Sequence, residues 1–166
     1  KILQERCVVM DDDLRHLVSL ISDTGMRLSE AAGLMNSDIN LDCNYPHIVI
    51  TPYPHRSLKT MASERIIPLV GKSLWAARRV VETTDSLYCF PRYTSSSGCN
   101  ANSASAAINK WIKTVAGSEA VIHGLRHSFR DRLRAVEAPS EVVDQLGGWS
   151  LKTVGQGYGD GYKVEI

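Results

Sequence analysis

The apolar residues of this chain have helical spacing near both ends and strand-like runs only in the middle, and this order limits its possible folds more than any other feature. Near the start, four apolar residues recur at i, i+3, i+4 and i+7: Leu14, Leu17, Val18 and Ile21. That spacing places them on one face of a helix. Three aspartates at positions 11–13 can cap the start of this helix, and Gly25 can end it.

More helices are predicted directly afterwards and in the second half of the chain. Ser29 can cap a short helix that runs to Met35, which leaves Arg27 in the tight connection between two helices. Four later segments have helical propensity and apolar spacing: Gly71–Thr84, Asn102–Ala116, Gly124–Glu137 and Pro139–Leu146. Pro139 suits the first turn of the last of these helices.

Two β-branched runs in the middle predict a small antiparallel sheet. One runs from His47 to Thr51 and the other from Arg65 to Leu69, and the polar stretch between them carries Lys59. Thr94–Asn100 is polar and contains a glycine, which predicts an exposed loop. Residues 155–162 hold four glycines, and each costs roughly 1 kcal/mol in a helix interior, so we expect this segment to be loosely held.

The length and composition predict one globular domain over residues 1–166. The chain is 43% apolar and 22% charged, and it has no apolar run long enough for a membrane span. Residues 1–10 are interpreted as a linker-like start. Because Lys1 is not an initiator methionine and no targeting signal follows it, we expect a longer protein with a separate N-terminal domain.

The cysteines give no evidence of a metal site. They are scattered without a C-x-x-C pair: Cys7, Cys43, Cys89 and Cys99. The spacing of Cys43 and His47 has no second pair to complete a zinc site. This pattern is typical of reduced structural thiols in a cytosolic protein.

The charge balance is nearly neutral, so any evidence for nucleic-acid binding has to be local. The net charge is +1, whereas a DNA-binding surface is usually visibly basic. Between His123 and Arg134 the chain has four arginines and one acid, Asp131. This segment is either a basic binding face or an ordinary solvated helix face, and the arginines alone favour the second interpretation.

The order of several short motifs resembles the tyrosine recombinase family, which includes the phage-type integrases. These motifs are Thr24–Glu30 (TGMRLSE), His123–His127 (HGLRH), Gly148–Trp149 and Tyr158. The resemblance runs from about residue 8 to residue 162. It implies an α+β fold, mainly helical with a small antiparallel sheet at one edge. It also implies a set of catalytic residues: Arg27, Lys59, His123, Arg126, Trp149 and Tyr158. Glu30 and His127 would support them, and residues 155–166 would form the nucleophile segment and the C-terminal tail.

The chemistry of phosphodiester cleavage fits these residue types. Two guanidinium groups can neutralise the non-bridging oxygens of a pentacoordinate phosphorus with paired hydrogen bonds. A tyrosine, with a pKa near 10, must lose its proton as it attacks, and His123 can accept that proton or orient the phosphate. Lys59 can protonate the departing 5′ oxygen. The sequence has no dense acidic cluster for two magnesium ions, so we expect no metal. Because the covalent intermediate conserves the energy of the cleaved bond, we expect no other cofactor.

Each assignment competes with another residue or with a structural role. Lys72 lies just beyond the second strand and competes with Lys59, and Tyr162 competes with Tyr158, which has the family spacing from Trp149. Only His123 has the H-x-x-R spacing to Arg126, so His127 is placed in a supporting role. Trp149 can bind phosphate through its indole N–H or simply fill the core.

The implied function is site-specific recombination of DNA through a 3′-phosphotyrosine. The alternatives are a type IB topoisomerase, which reseals the same strand, and a non-catalytic DNA-binding module of the same fold. The implied partners are double-stranded DNA, three further copies of the protein in a tetramer on two sites, and accessory DNA-bending proteins. The implied location is the cytoplasm of a bacterial host cell, with no membrane association.

Overall fold

The computed structural model of the protein describes residues 2–149, with only the backbone of residue 62. Within this range the helices are α1 (Ile2–Met10), α2 (Asp13–Thr24), α3 (Leu28–Ala32), α4 (Gly71–Thr83), α5 (Ala101–Ala116), α6 (Ile122–Ala135) and α7 (Ser140–Gly147). The strands are β1 (Ile39–Asn40), β2 (His47–Ile50), β3 (Arg65–Pro68), β4 (Thr94–Ser95) and β5 (Gly98–Cys99). Tyr158, Tyr162 and the glycine-rich segment 155–162 lie outside the described residues.

Helix α2 is the centre of the helical part of the fold. Every residue from His16 to Ser22 is buried, because α1, α4, α5 and α6 all contact this helix. Its start and end follow the sequence pattern. The Asp12 side chain accepts a hydrogen bond from the backbone N–H of Arg15, and Gly25 ends the helix in the left-handed conformation.

The predicted antiparallel sheet is confirmed and gains one short strand. Its order is β1-β2-β3, and in the β2–β3 pair Val49 lies opposite Ile66. Ile48, Ile50 and Ile67 are buried, so one face of the sheet packs on the core. The first strand was not predicted because it is only two residues long. The fold is mainly helical with a small antiparallel sheet, so the predicted α+β class is confirmed.

Three predicted helix boundaries are wrong, and at two of them a polar side chain caps the helix in an unexpected way. Helix α3 begins after Arg27, not Ser29, because the carboxylate of Glu30 accepts the backbone N–H of Arg27 at 2.9 Å; it ends at Ala32 and not at Met35. Helix α6 begins two residues before Gly124, where the Asn109 side chain accepts the N–H of Ile122 at 2.8 Å. Pro139 precedes the first turn of α7.

Two segments predicted without regular structure are ordered elements. Thr94–Asn100 is largely a two-stranded hairpin formed by β4 and β5, and its first residue is buried, where its hydroxyl donates to the carbonyl of Ala32 at 2.8 Å. The linker-like start is instead helix α1, which packs against α2 and α5 and buries Cys7. In the described part of the chain, no helix combines the length and the apolar character needed to cross a membrane.

Candidate active site

Arg27 is placed by the turn that connects α2 to α3. Gly25 has φ of 64°, a backbone conformation that favours glycine. A Cβ built on Gly25 would lie 2.3 Å from a ring carbon of Phe129. Glycine therefore lets α6 approach the end of α2 closely, and this brings the arginine of one motif next to the residues of the other.

The Arg27 guanidinium is held by three segments of the chain. It donates to Glu30 Oε1 at 2.7 Å, to Ser63 Oγ at 2.9 Å and to the carbonyl oxygen of Gly148 at 3.1 Å. Its side chain remains 21% exposed. Arg27 is therefore fixed from behind while part of it stays accessible to a ligand.

Glu30 is a buried carboxylate between two arginines. It binds Arg27 at 2.7 Å through one oxygen and Arg65 at 2.9 Å through the other. Burial alone would raise the pKa of Glu30, but the charge and hydrogen bonds of Arg65, together with those of Arg27, hold that pKa below its usual value. Glu30 is thus an ionised acceptor that orients the guanidinium of Arg27.

Helix α6 presents Arg126 at the same turn. Arg126 is 4% exposed, and it donates a hydrogen bond to the carbonyl oxygen of Gly25. Burial, followed by repulsion from Arg27, lowers the pKa of Arg126 to about 10. The group stays charged at neutral pH. Because Arg126 binds Gly25, two residues before Arg27, the two arginines lie at the same turn.

His123 lies one turn before Arg126 on α6 and is exposed. Its ring meets that of His127 edge to face, with the ring centres 4.8 Å apart. Partial burial lowers the pKa of His123, and the charges of His127, Arg126, Arg27 and Lys59 lower it further. Because the usual value is about 6.5, the imidazole is neutral at pH 7 and can accept a proton.

Trp149 packs against two arginines of α6. The guanidinium carbon of Arg126 lies 4.4 Å from the ring centre, and that of Arg130 lies 4.8 Å away. The backbone N–H of Trp149 donates to the carbonyl of Asp144 at 2.9 Å, and the Asp144 carboxylate lies 3.4 Å from Arg130. The half-buried indole therefore packs against Arg126 and is not simply a core residue.

Lys59 is exposed in the segment between β2 and β3, and its charge acts on His123. The competing Lys72 lies in the first turn of α4, where its backbone N–H binds Asp23 at 2.9 Å. The structure thus brings together Arg27, Glu30, His123, Arg126, His127 and Trp149, with Lys59 within electrostatic range. It does not describe the position of the predicted nucleophile, Tyr158.

Several site residues were missed by the sequence analysis, although the spacing contains signals for two of them. Arg65 lies two residues before the buried Ile67 in β3, and alternate residues of a strand point to the same face, so Arg65 faces the core side of the sheet. Arg130 follows Arg126 by four residues and shares its helix face. Ser63 and Asp144 have no such signal.

The arginines of α6 fit both interpretations of this basic segment: two belong to a binding face, and two lie on a solvated helix face. Arg126 and Arg130 face the site, whereas Arg132 pairs with Asp23 at 2.9 Å and Arg134 lies 3.8 Å from Asp131. The last two side chains are more than half exposed. One face of this helix therefore belongs to the site, and the other is a solvated surface with local ion pairs.

Solved structures of the Tn1549 transposon integrase have the same fold. In its complex with transposon right end DNA, that protein is 17% identical with a TM-score of 0.59, and the match covers 82% of this chain and 51% of that one. In its complex with circular intermediate DNA, the values are 15% and 0.56, with coverage of 87% and 56%. This chain therefore spans about half the length of those integrase chains.

The sequence comparisons differ in their results. A search of curated proteins gives no significant match. The sequence model of the Phage integrase family matches residues 4–163, which includes the motif arginines, the H-x-x-R sequence and the tyrosine at position 158 in the expected order. The chain therefore belongs to the Phage integrase family, the family of tyrosine recombinases.

Proposed function

We propose that this chain is the catalytic domain of a site-specific recombinase, which cleaves and rejoins DNA through a covalent bond between Tyr158 and a backbone phosphate. Integration or excision of a mobile element is the proposed outcome. The observation that supports this function best is the convergence of Arg27 and Arg126 on one turn, next to the neutral His123, with Arg27 also bound to the carbonyl of Gly148.

The two arginines form the proposed phosphate clamp. Arg27 is tied to Glu30, Ser63 and Gly148, and Arg126 is tied to Gly25 and stacked on Trp149. Charges that are oriented before the substrate arrives stabilise a transition state without reorganisation at the moment of reaction. The clamp would neutralise the charge that develops on the non-bridging oxygens of the scissile phosphate.

Tyr158 would attack the phosphorus, forming the bond from phosphorus to tyrosine oxygen and breaking the bond to the 5′ oxygen. His123 would accept the tyrosine proton, which the depressed pKa of the imidazole permits. Lys59 would protonate the departing 5′ oxygen, and the Trp149 indole N–H would donate to the phosphate. Attack by a 5′-hydroxyl of another strand then reverses these steps and releases Tyr158.

The proposed partners follow from this reaction. The substrate is double-stranded DNA, and the related Tn1549 integrase is bound to DNA in its solved structures. A tetramer on two DNA sites would supply the second strand for rejoining, and accessory DNA-bending proteins would help to assemble it. The protein would then act in the cytoplasm of a bacterial cell.

Covalent capture from DNA of random sequence tests the proposal and identifies the DNA site in the same experiment. A pool of nicked duplexes of random sequence is incubated with the full-length protein, and adducts that survive denaturation are isolated and sequenced. The wild-type protein and Tyr162→Phe should form adducts, and Tyr158→Phe should bind DNA but form none. Adducts with Tyr158→Phe, or none with wild type, would overturn the proposal, and resealing of only the cleaved strand would identify a topoisomerase instead.

A further inference from the structure

The buried Arg65 connects three segments that carry active-site residues. It donates from Nη2 to Glu30 Oε2 at 2.9 Å, from Nη1 to the carbonyl of Ser63 at 2.6 Å and from Nε to the carbonyl of Leu146 at 2.8 Å. Each nitrogen of its guanidinium therefore binds a different segment: α3, the short turn at residues 61–63 before β3, and the end of α7.

We infer that Arg65 is a positioning residue for DNA cleavage, which holds Glu30 and the segment before Trp149 so that Arg27 is aimed at the scissile phosphate. This inference rests on the proposed function. The Arg65 side chain is only 2% exposed, so it would act through its neighbours and not by touching the DNA.

The first connection runs through Glu30. One carboxylate oxygen of Glu30 binds Arg65, and the other binds the Arg27 guanidinium. Burial raises the pKa of this carboxylate, and the charge and hydrogen bond of Arg65 lower it and so help to keep Glu30 ionised. If Arg65 loses its fork of donors, Glu30 loses the hydrogen bond that orients its carboxylate, and it holds Arg27 less firmly.

The second connection runs through two backbone carbonyls, those of Ser63 and Leu146, which lie in or next to segments that contact the Arg27 guanidinium. Arg65 binds the carbonyl of Ser63, whose hydroxyl accepts a hydrogen bond from Arg27 and lies 3.1 Å from the hydroxyl of Thr60. Arg65 also binds the carbonyl of Leu146, two residues before Gly148, which accepts from Arg27 at 3.1 Å. Arg65 thus fixes three of the groups that contact or surround the Arg27 guanidinium.

A second buried arginine in the same region provides a matched control. Arg56 is 2% exposed, binds the Asp38 carboxylate at 2.8 Å and donates to the carbonyls of Gly33 and Thr51. It resembles Arg65 in burial, in its ion pair and in its two carbonyl bonds. None of its partners is a residue of the proposed site.

The experiment compares Arg65→Lys, Arg56→Lys and wild type in the full-length protein on a nicked duplex obtained by covalent capture. Adduct formation is measured in single turnovers at saturating DNA, and folding is checked by circular dichroism and urea denaturation. Arg65→Lys should slow adduct formation by about 10- to 100-fold with nearly unchanged DNA affinity, since small misplacements of a positioned group have effects of this size. Arg56→Lys should lose stability but cleave at the wild-type rate per folded molecule.

A substrate change separates positioning of the clamp from general damage. A methylphosphonate at the scissile position replaces a charged non-bridging oxygen by a methyl group and leaves the clamp less charge to neutralise. The rate ratio of wild type to Arg65→Lys should therefore be several-fold smaller on this substrate than on the normal phosphate. Arg65→Gln should give the same pattern and serves as the second variant if Arg65→Lys does not fold.

The outcomes distinguish this inference from the proposed function. No adduct with wild type would contradict the proposed function itself. If wild type cleaves, the inference is overturned by a wild-type rate in Arg65→Lys, by equal rate ratios on the two substrates, or by an equal defect in Arg56→Lys. Failure of both Arg65 variants to fold would also overturn it, since the role would then be purely structural.

Discussion

Positive side chains outnumber negative ones around the proposed phosphate position, and this imbalance determines how the individual residues ionise. Glu30 is held ionised by Arg65 and Arg27, whereas the pKa values of His123 and Arg126 are both lowered by burial and by nearby positive charges. The pKa of His123 is lowered below 7, whereas the pKa of Arg126 stays well above 7 although it is also lowered, so the two groups have different roles at pH 7. His123 is available as a proton acceptor, and Arg126 stays a cation.

The first prediction concerns the acid limb of the reaction. His127, Arg126, Arg27 and Lys59 all act on His123, and only His127 can be replaced without removing a proposed clamp or acid group. In His127→Gln the pKa of His123 should rise toward its usual value, because the electrostatic interaction with His127 that lowers it is lost. Only neutral His123 can accept the tyrosine proton, so cleavage is lost as the pH falls through this pKa. The pH at which the cleavage rate falls on the acid side of the pH profile, its acid limb, should therefore be higher in the variant.

NMR titration of the His123 ring and the pH profile of adduct formation measure this effect. The control is His47→Gln, because His47 is not a residue of the proposed site: it lies on β2 and binds the carbonyl of Tyr45 at 2.8 Å. A pKa of His123 that is unchanged or lower in His127→Gln would contradict the prediction. If the pKa rises and the acid limb does not follow it, His123 is not the base.

At the scale of the elements, the sequence predicted those whose local pattern and tertiary packing agree. Helix α2 has both caps and an apolar face in its own sequence, and strands β2 and β3 have β-branched runs. The site motifs Arg27, His123 and Arg126 could be found because their order and spacing are those of the family. Their contacts could not, since Arg27 meets Gly148 across 121 positions of sequence.

The failures have a common cause, which is stabilisation by residues distant in sequence. Helix α1 has almost no amphipathic pattern of its own, and it is packed against α2 and α5. The β4–β5 hairpin is attached through Thr94 to the end of α3. The start of α6 depends on Asn109, which belongs to α5. Single-sequence spacing contains no record of such contacts.

The second prediction tests the junction of α2 with α6. Gly25→Ala should reduce the free energy of unfolding by about 2–4 kcal/mol, because alanine is strained at positive φ and its Cβ collides with Phe129. Gly124→Ala should instead increase it by about 0.5–1 kcal/mol, since its Cβ meets no atom within 4 Å and alanine favours the helix. Urea denaturation measures both values, and equal effects of the two substitutions would contradict the close approach of α6 to Gly25.

At the scale of the whole molecule, the charge is almost balanced in spite of the arginine-rich site. The chain has 19 lysines and arginines against 18 aspartates and glutamates. On α6 the arginines outside the proposed clamp have acidic neighbours: Asp144 for Arg130, Asp23 for Arg132 and Asp131 for Arg134. Within the described residues of α6, the arginine charge that no neighbouring acid offsets is therefore that of Arg126, in the proposed clamp.

The last prediction is that residues 1–166 alone bind DNA weakly and recombine it poorly. DNA affinity and its salt dependence grow with the number of phosphates that a protein neutralises, and the net charge of this chain is only +1. We expect a separate N-terminal domain to supply most of the affinity, so the full-length protein should bind more tightly and with a steeper dependence on salt. Titrations of one captured duplex with both proteins at several salt concentrations measure this difference. Equal affinity, equal salt slope and equal recombination by residues 1–166 would contradict it, and would mean that the local charge at Arg27 and Arg126 suffices to hold the duplex.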